Sequence, residues 1–354
     1  MDKKNKSKHG GNIYSYIEKY GIEPNDFSSN LSFFDYKDKL QEIYEKSFQK
    51  CFSYPDENYC ELTNAIANFE NIESCNITVS NGASELINII PFVLKSKKTL
   101  LFAPTFNEYA ERFSKVSEIY EYILKHENSF KIQNDFYEKI KEVDTVIIVN
   151  PNNPTGNIIK KDELRKIIKK CSEFNVNLII DECFMDLSIQ NESVKEYIDE
   201  YDKLMIIKAL TKSFSLAGIR IGYLISNKYM VETVNSYLPT WRVSNIADIL
   251  SREVLKYKED LNSLRKMIKE EIEFVSKELK KLNIKVYESY TNFIFFQCNM
   301  LDLADKMEKE GFLIRDCSNF SNLYNKGYFR IAIKSRRDNT LLINSMKKIF
   351  KINE

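Results

Sequence analysis

The chain has 354 residues, 43% of them apolar and 13% aromatic, which is enough for two domains or one large one and too core-rich for disorder. Its 52 lysines and arginines nearly cancel 51 aspartates and glutamates, leaving a formal charge of +1. That balance excludes a general electrostatic pull toward nucleic acid or an anionic membrane, so any anion must be recognised locally.

The lysine-rich opening, MDKKNKSKHGG, has no apolar stretch behind it and does not read as a secretory leader. The first 45 or so residues have no clear place in a parallel sheet and are expected to form an arm that joins a smaller domain. Further on, Thr99–Ala103, Thr145–Asn150, Asn177–Asp181, Leu204–Ile207 and Gly222–Ile225 read as short buried strands bounded by turn residues. Between two of them, Asp162–Phe174 carries Leu164, Ile167, Ile168, Cys171 and Phe174 at helical spacing. Strand, helix, strand across 145–181 predicts a βαβ crossover, the unit of a mostly parallel sheet with helices on its faces. After about residue 230 the pattern changes: Ala247–Leu282 is long, charged and largely helical, and the strands Asn292–Gln297 and Tyr328–Ile333 follow. The expected class is α/β, with an N-terminal arm over 1–45, a large domain over 46–235 and a small α+β domain over 236–354. The apolar runs are too short to span a bilayer. Seven scattered cysteines without a C-x-x-C pair suit free thiols in a reducing compartment. A soluble, cytoplasmic protein with no membrane or nucleic-acid partner is expected.

Parallel sheets put ligands at the carboxyl ends of their strands, so the residues that follow each strand matter most. In SNGASELI, Gly82, Ala83 and Ser84 open an apolar helix whose free N–H groups and dipole suit a phosphate, although a plain helix start looks the same. The strand from Thr145 ends in NPNNPTG, a turn stiffened by two prolines that presents the Asn153 amide, as an ordinary loop also could. NLIID ends at Asp181, a carboxylate able to keep a ring nitrogen protonated or, more simply, to cap the following chain. In KALTKSFSLAGIRIGY, Lys212 follows a strand and Arg220 comes eight residues later. A desolvated lysine amine condenses with an aldehyde, and an arginine fork suits a phosphate. Taken in order, these segments supply an anion cradle, an amide, an acid for a ring nitrogen, an imine lysine and a phosphate arginine, which together are what one cofactor needs.

On these motifs the chain resembles, over essentially its whole length, the fold-type I pyridoxal 5'-phosphate (PLP) enzymes of the class I/II aminotransferase superfamily. The resemblance implies that Lys212 is the Schiff-base lysine, Asp181 the partner of the pyridine nitrogen and Asn153 the donor to the 3'-oxygen. It implies phosphate contacts from Ala83, Ser84, Thr211 and Arg220, and a ring-stacking role for Phe106 in APTFNEY. Tyr54, in SYPDENY, would reach the phosphate of a neighbouring subunit, so a homodimer is implied, and Arg330, in YFRIAI, would clamp a substrate carboxylate. Within the superfamily the chain is similar both to histidinol-phosphate aminotransferases and to the threonine-phosphate decarboxylases of cobalamin biosynthesis. HGGN (His9–Asn12), DFSSN (Asp26–Asn30), IRDCSNF (Ile314–Phe320) and Phe184, where the aminotransferases carry tyrosine, lean toward the decarboxylases. That likeness implies a small phosphorylated amino acid held by His9, Asn30, Arg315 and Arg330. Transamination of histidinol phosphate or another amino acid is the alternative, and a non-catalytic regulator on the same fold is the alternative of another class. Two departures stand out: Ala209 replaces a usual serine or threonine, and Asn322–Tyr324 interrupts a turn otherwise built of small residues. With only His9 and His126 and no clustered cysteines, no metal site is expected.

Overall fold

The structure, a computed structural model, describes residues 10–351, so His9, expected at the substrate site, lies outside the described residues. A seven-stranded sheet runs in the order Ile77–Asn81, Ile221–Ser226, Leu204–Ala209, Asn177–Asp181, Thr145–Val149, Lys98–Ala103, Glu118–Ile123. All neighbours pair parallel except those of Ile221–Ser226, which runs antiparallel to both of its neighbours. The predicted crossover is present: Thr145–Val149 and Asn177–Asp181 pair parallel, and the helix Lys161–Phe174 between them buries Leu164, Ile167, Ile168 and Cys171. The apolar strands are buried on both faces, as strands with helices on either side must be.

The antiparallel strand has a direct consequence for the site. The chain leaves Leu204–Ala209 at the carboxyl edge of the sheet and re-enters at the same edge with Ile221. The whole link, including Lys212 and Arg220, therefore stays at that edge. Ile221 also pairs with Asn81, which brings the start of the helix Ala83–Leu94 alongside Arg220.

A second, four-stranded antiparallel sheet has the order Arg315–Asp316, Tyr328–Ala332, Phe293–Gln297, Lys285–Val286. One face, with Ile294, Phe296, Phe329 and Ile331, packs against Val275 and Leu279 of the helix Asp260–Lys281 and Leu342, Ile343 and Met346 of the helix Arg336–Ile349. The predicted helical stretch 247–282 is two helices, Asn245–Val254 and Asp260–Lys281, separated by a short 3-10 turn at Leu255–Tyr257. Val254, Leu255 and Leu261, on both sides of the break, all lie in the large core. The expected arm also divides. Asn25–Asp26 pairs with Phe312–Leu313 and Phe27 enters the core of the small sheet, whereas Leu40 on the helix Lys37–Ser47 packs into the core of the large one.

Side chains alternate across a strand, so Lys208 and Ala209 point to opposite faces of the sheet. Lys208 is buried, with its amine 2.6 Å from Glu70 Oε1 and 2.7 Å from Asp186 Oδ1. Lys195 reaches Glu70 Oε2 at 2.6 Å, and the Tyr223 hydroxyl donates to Glu70 Oε1 at 2.6 Å. Burial alone would raise the Glu70 carboxyl, but the two ammonium groups hold it well below the usual carboxylate range. Removing one member of such a cluster strands the others without a partner. Lys208→Met is expected to destabilise the fold by about 3–5 kcal/mol, read as a shift of the urea unfolding midpoint.

Candidate active site

A cavity of 400 Å³ opens at the carboxyl edge of the large sheet and is closed on one side by the small sheet. Its walls include Asn30, Ala83, Ser84, Phe106, Asn153, Asp181, Phe184, Thr211, Lys212, Arg220, Arg315 and Arg330, thus gathering nearly every predicted site residue from widely separated stretches of chain into one space. Tyr54 is the exception. It is 77% exposed, outside the cavity, and stacks on Trp241.

At one end the helix Ala83–Leu94 begins with its free N–H groups next to Arg220. Two glycines make that approach possible. A Cβ on Gly82, which has φ +70°, would fall 2.6 Å from the Arg220 guanidinium, and a Cβ on Gly222 would fall 2.3 Å from the Ala83 nitrogen. The result is a pocket of backbone donors beside a cation, suited to a phosphate. Ala209 also lies on the wall, so no hydroxyl comes from that position.

At the other end sits Asp181. The Tyr109 hydroxyl donates to its Oδ2 at 2.8 Å and the Cys183 backbone N–H to its Oδ1 at 2.9 Å. Burial pushes this carboxyl up, and those two bonds and the charge of Lys212 pull against it. A cation delivered into the cavity next to Asp181 would remove the conflict by pairing with the carboxylate.

Lys212 lies between the two ends, on the short helix Leu210–Ser213, whose last turn it forms. Enclosure, followed by the like charges of Arg330 and Arg220, lowers its amine to about 8, while Cys183 and Asp26 act in the opposite direction. Only the neutral amine attacks an aldehyde. In protein stripped of cofactor, condensation with PLP is therefore expected to rise about tenfold per pH unit below pH 8 and to level off above it. Stopped-flow absorbance across pH 6–10 checks this (a midpoint near the ordinary lysine value would refute it).

The small sheet contributes the third region. Arg315 and Arg330 are cross-strand neighbours, directly opposite each other in register, and both are buried, at 8% and 5% exposure. Arg330 donates to Asn153 Oδ1 at 2.5 Å and to the Ser28 carbonyl at 2.7 Å, which fixes its plane, while its Nε has no partner among the described residues. Burial, with a smaller contribution from the like charge of Arg315, brings the Arg330 guanidinium down to about 10. Arg315 donates to Asn319 Oδ1 at 2.7 Å and lies over the Phe320 ring. Like charges directly opposite on adjacent strands repel, so this pair is suited to anions placed between or against them. Beside them Asn30 is 2% exposed, and neither polar atom of its side chain has a partner among the described residues.

An anion cradle, a poised amine and a buried acid in line fit a flat aldehyde with a phosphate at one end and a basic ring nitrogen at the other. PLP is such a molecule. Phe106 and Cys183 both line the space where its ring would lie, and Phe184 packs edge-on against Phe293 at 5.2 Å. Sequence reading alone does not single out Tyr109 or Cys183. Tyr109 was within reach, being the last residue of the APTFNEY motif, but its hydroxyl meets Asp181 only after two strands have paired through a third.

The chain also matches known proteins in sequence and in fold. Residues 23–346 match the family model described as aminotransferase class I and II. The chain is 33% identical to a putative threonine-phosphate decarboxylase of Caldanaerobacter subterraneus, over 97% of this chain and 94% of that one. It is 31% identical to a histidinol-phosphate aminotransferase of Ruminiclostridium cellulolyticum, over 84% of this chain and 83% of that one. It superposes on the crystal structure of the histidinol-phosphate aminotransferase of Clostridium acetobutylicum with a TM-score of 0.85, at 30% identity, covering 92% of this chain and 99% of the other.

Proposed function

The chain belongs to the class I and II aminotransferases, and on that premise we propose that it is a PLP-dependent enzyme that decarboxylates threonine phosphate, a reaction of the cobalamin-biosynthesis type. The observation that carries the substrate reading is the buried, cross-strand pair Arg315 and Arg330, in a cavity whose cofactor phosphate already has Arg220. Two arginines beyond the cofactor's own suit a small substrate with two anionic groups, a carboxylate and a phosphate. The similarity to a putative threonine-phosphate decarboxylase across nearly the full length of both chains supports the same reading.

When bound, PLP supplies an electron sink for whichever Cα bond stands perpendicular to its ring. The rest falls to the residues of this chain. Asp181, held by Tyr109 and the Cys183 N–H, keeps a proton on the ring nitrogen. Arg330 takes the substrate carboxylate, Arg315 the distal phosphate, and Asn30 supplies a side-chain donor and acceptor that have no partner among the described residues. Held at two ends, the substrate has little freedom to rotate about Cα, so these anchors select the bond that breaks. The Lys212 amine would return a proton to Cα after carbon dioxide leaves. The roles of Ala83, Ser84, Thr211 and Arg220 at the phosphate, Asn153 at the 3'-oxygen and Phe106 on the ring belong to this proposal. So do the homodimer in which Tyr54 serves the neighbouring site, a cytoplasmic location, and the division into an arm, a large and a small domain, which the separate seven-stranded and four-stranded sheets support.

Product analysis tests the reaction. Threonine phosphate is expected to release carbon dioxide and leave aminopropanol phosphate without any 2-oxo acid. Glutamate appearing from histidinol phosphate and 2-oxoglutarate, with no carbon dioxide from threonine phosphate, would assign transamination instead.

A further inference from the structure

One exposed feature has no evident value to the fold of a single chain. Trp241 is the chain's one tryptophan, yet it is 45% exposed and its backbone has φ +55°, an uncommon conformation for a bulky residue. Such a conformation persists only where its surroundings enforce it. Here the next residue does so. Arg242 donates from Nε to the Val79 carbonyl at 2.6 Å and from Nη2 to Asn235 Oδ1 at 3.0 Å and Thr78 Oγ1 at 3.2 Å, and its guanidinium lies over the Tyr59 ring. The Val243 N–H donates to the Tyr59 hydroxyl at 3.0 Å. The loop around Trp241 is thus tied to the strand that leads into the helix Ala83–Leu94.

The indole, so held, stacks on Tyr54, with ring centroids 4.3 Å apart and planes inclined by 27°. Just before Tyr54 the chain is held as well, since Asn245 donates to the carbonyls of Lys50 and Ser53, each at 2.8 Å. An exposed tyrosine without a neighbour samples several χ1 rotamers. This one has the chain just before it anchored and its ring pressed against a rigid indole, while the residue stays 77% exposed.

We infer that Trp241 is a positioning residue for the cofactor site of a second copy of this chain, holding the Tyr54 ring so that its hydroxyl points at the partner's cofactor phosphate. The inference rests on the proposed homodimer and on the proposed role of Tyr54. Strain at Trp241 and exposure of both rings then have one explanation: the pair is built to be used across an interface.

The test uses the full-length protein stripped of cofactor, with PLP as the ligand. Trp241→Ala is expected to weaken PLP binding about tenfold, as Tyr54→Phe does, with the dimer intact by analytical ultracentrifugation. Trp241→Phe, which keeps an aromatic face, is expected to bind within about twofold of the parent. Mixed dimers show whether the effect crosses the interface. Borohydride fixes PLP only on chains that carry Lys212, so each dimer reports a single site. Pairing a Trp241→Ala chain with a Lys212→Ala chain should give parental affinity at that site, because the partner supplies an intact Tyr54. Pairing a doubly substituted Trp241→Ala, Lys212→Ala chain with a parental chain should give the weakened affinity. Parental affinity in Trp241→Ala while Tyr54→Phe is weakened overturns the inference and leaves the Tyr54 reading standing. Parental affinity in both, or a monomeric parent protein, overturns the Tyr54 reading and the inference with it. A Trp241→Ala protein that is monomeric beside a dimeric parent also overturns the inference, since the indole then acts in assembly and not in aiming a side chain.

Discussion

Lys212→Ala is expected to yield a folded protein that has lost the yellow colour of the parent and turns over at least about 10⁴-fold more slowly. The size follows from the two tasks that converge on one atom. In the proposed chemistry the amine holds the cofactor covalently and later carries a proton to or from Cα, and among the described residues no other amine lines the cavity. Lys208 cannot substitute: it lies four residues earlier, on the opposite face of the sheet, locked between Glu70 and Asp186. The two lysines should therefore separate cleanly. Lys208→Met should lower the unfolding midpoint and retain colour after refolding at low denaturant, whereas Lys212→Ala should keep the midpoint of the cofactor-free parent and lose colour. Visible absorbance and urea unfolding on the two variants check both statements. A Lys212→Ala protein with parental colour and rate would remove the basis of the proposed chemistry.

The second large effect is expected at Asp181. Asp181→Asn keeps the shape of the side chain and its contact with Tyr109 but removes the negative charge that would hold a proton on the ring nitrogen. Turnover is expected to fall by about two to three orders of magnitude under saturating PLP, the usual scale for losing a preorganised electrostatic partner of developing charge. Substrate affinity should change little, because Arg315, Arg330 and Asn30 lie in the region contributed by other elements. Single-turnover rates measured beside substrate titrations separate the two quantities. If the rate is unchanged, the carboxylate is structural.

Much of the large sheet was legible because its signals are local. Apolar runs ending in turns marked five of the seven strands, and the helix period between Thr145 and Asp181 gave the crossover. The two strands not read in advance explain themselves. Ile77–Asn81 merges into the motif SNGASELI, and Glu118–Ile123 is an edge strand with the sequence EIYEYI, half-exposed and without a continuous apolar run. The division of 247–282 into two helices was not legible, since neither glycine nor proline marks the break. Both helices still place residues in one shared core. The departure at Asn322–Tyr324 is accommodated by a left-handed backbone at Asn322, a conformation asparagine takes more readily than most residues.

By itself, the sequence determined which groups are present and in what order: the helix start at Ala83, the turn at Asn153, the acid at Asp181, the amine at Lys212 and the arginine at Arg220. Each belongs to a short segment whose backbone is governed by its own glycines, prolines and strand ends, so short-range physics suffices. Only the tertiary structure decided that Arg315 and Arg330 face each other, that Asn30 is buried beside them with no side-chain partner among the described residues, and that Tyr54 stands outside on Trp241. Those facts depend on strand register and on contacts between residues some 180 to 300 positions apart, and a pattern that repeats every two or every 3.6 residues carries no information about which distant strand it will meet.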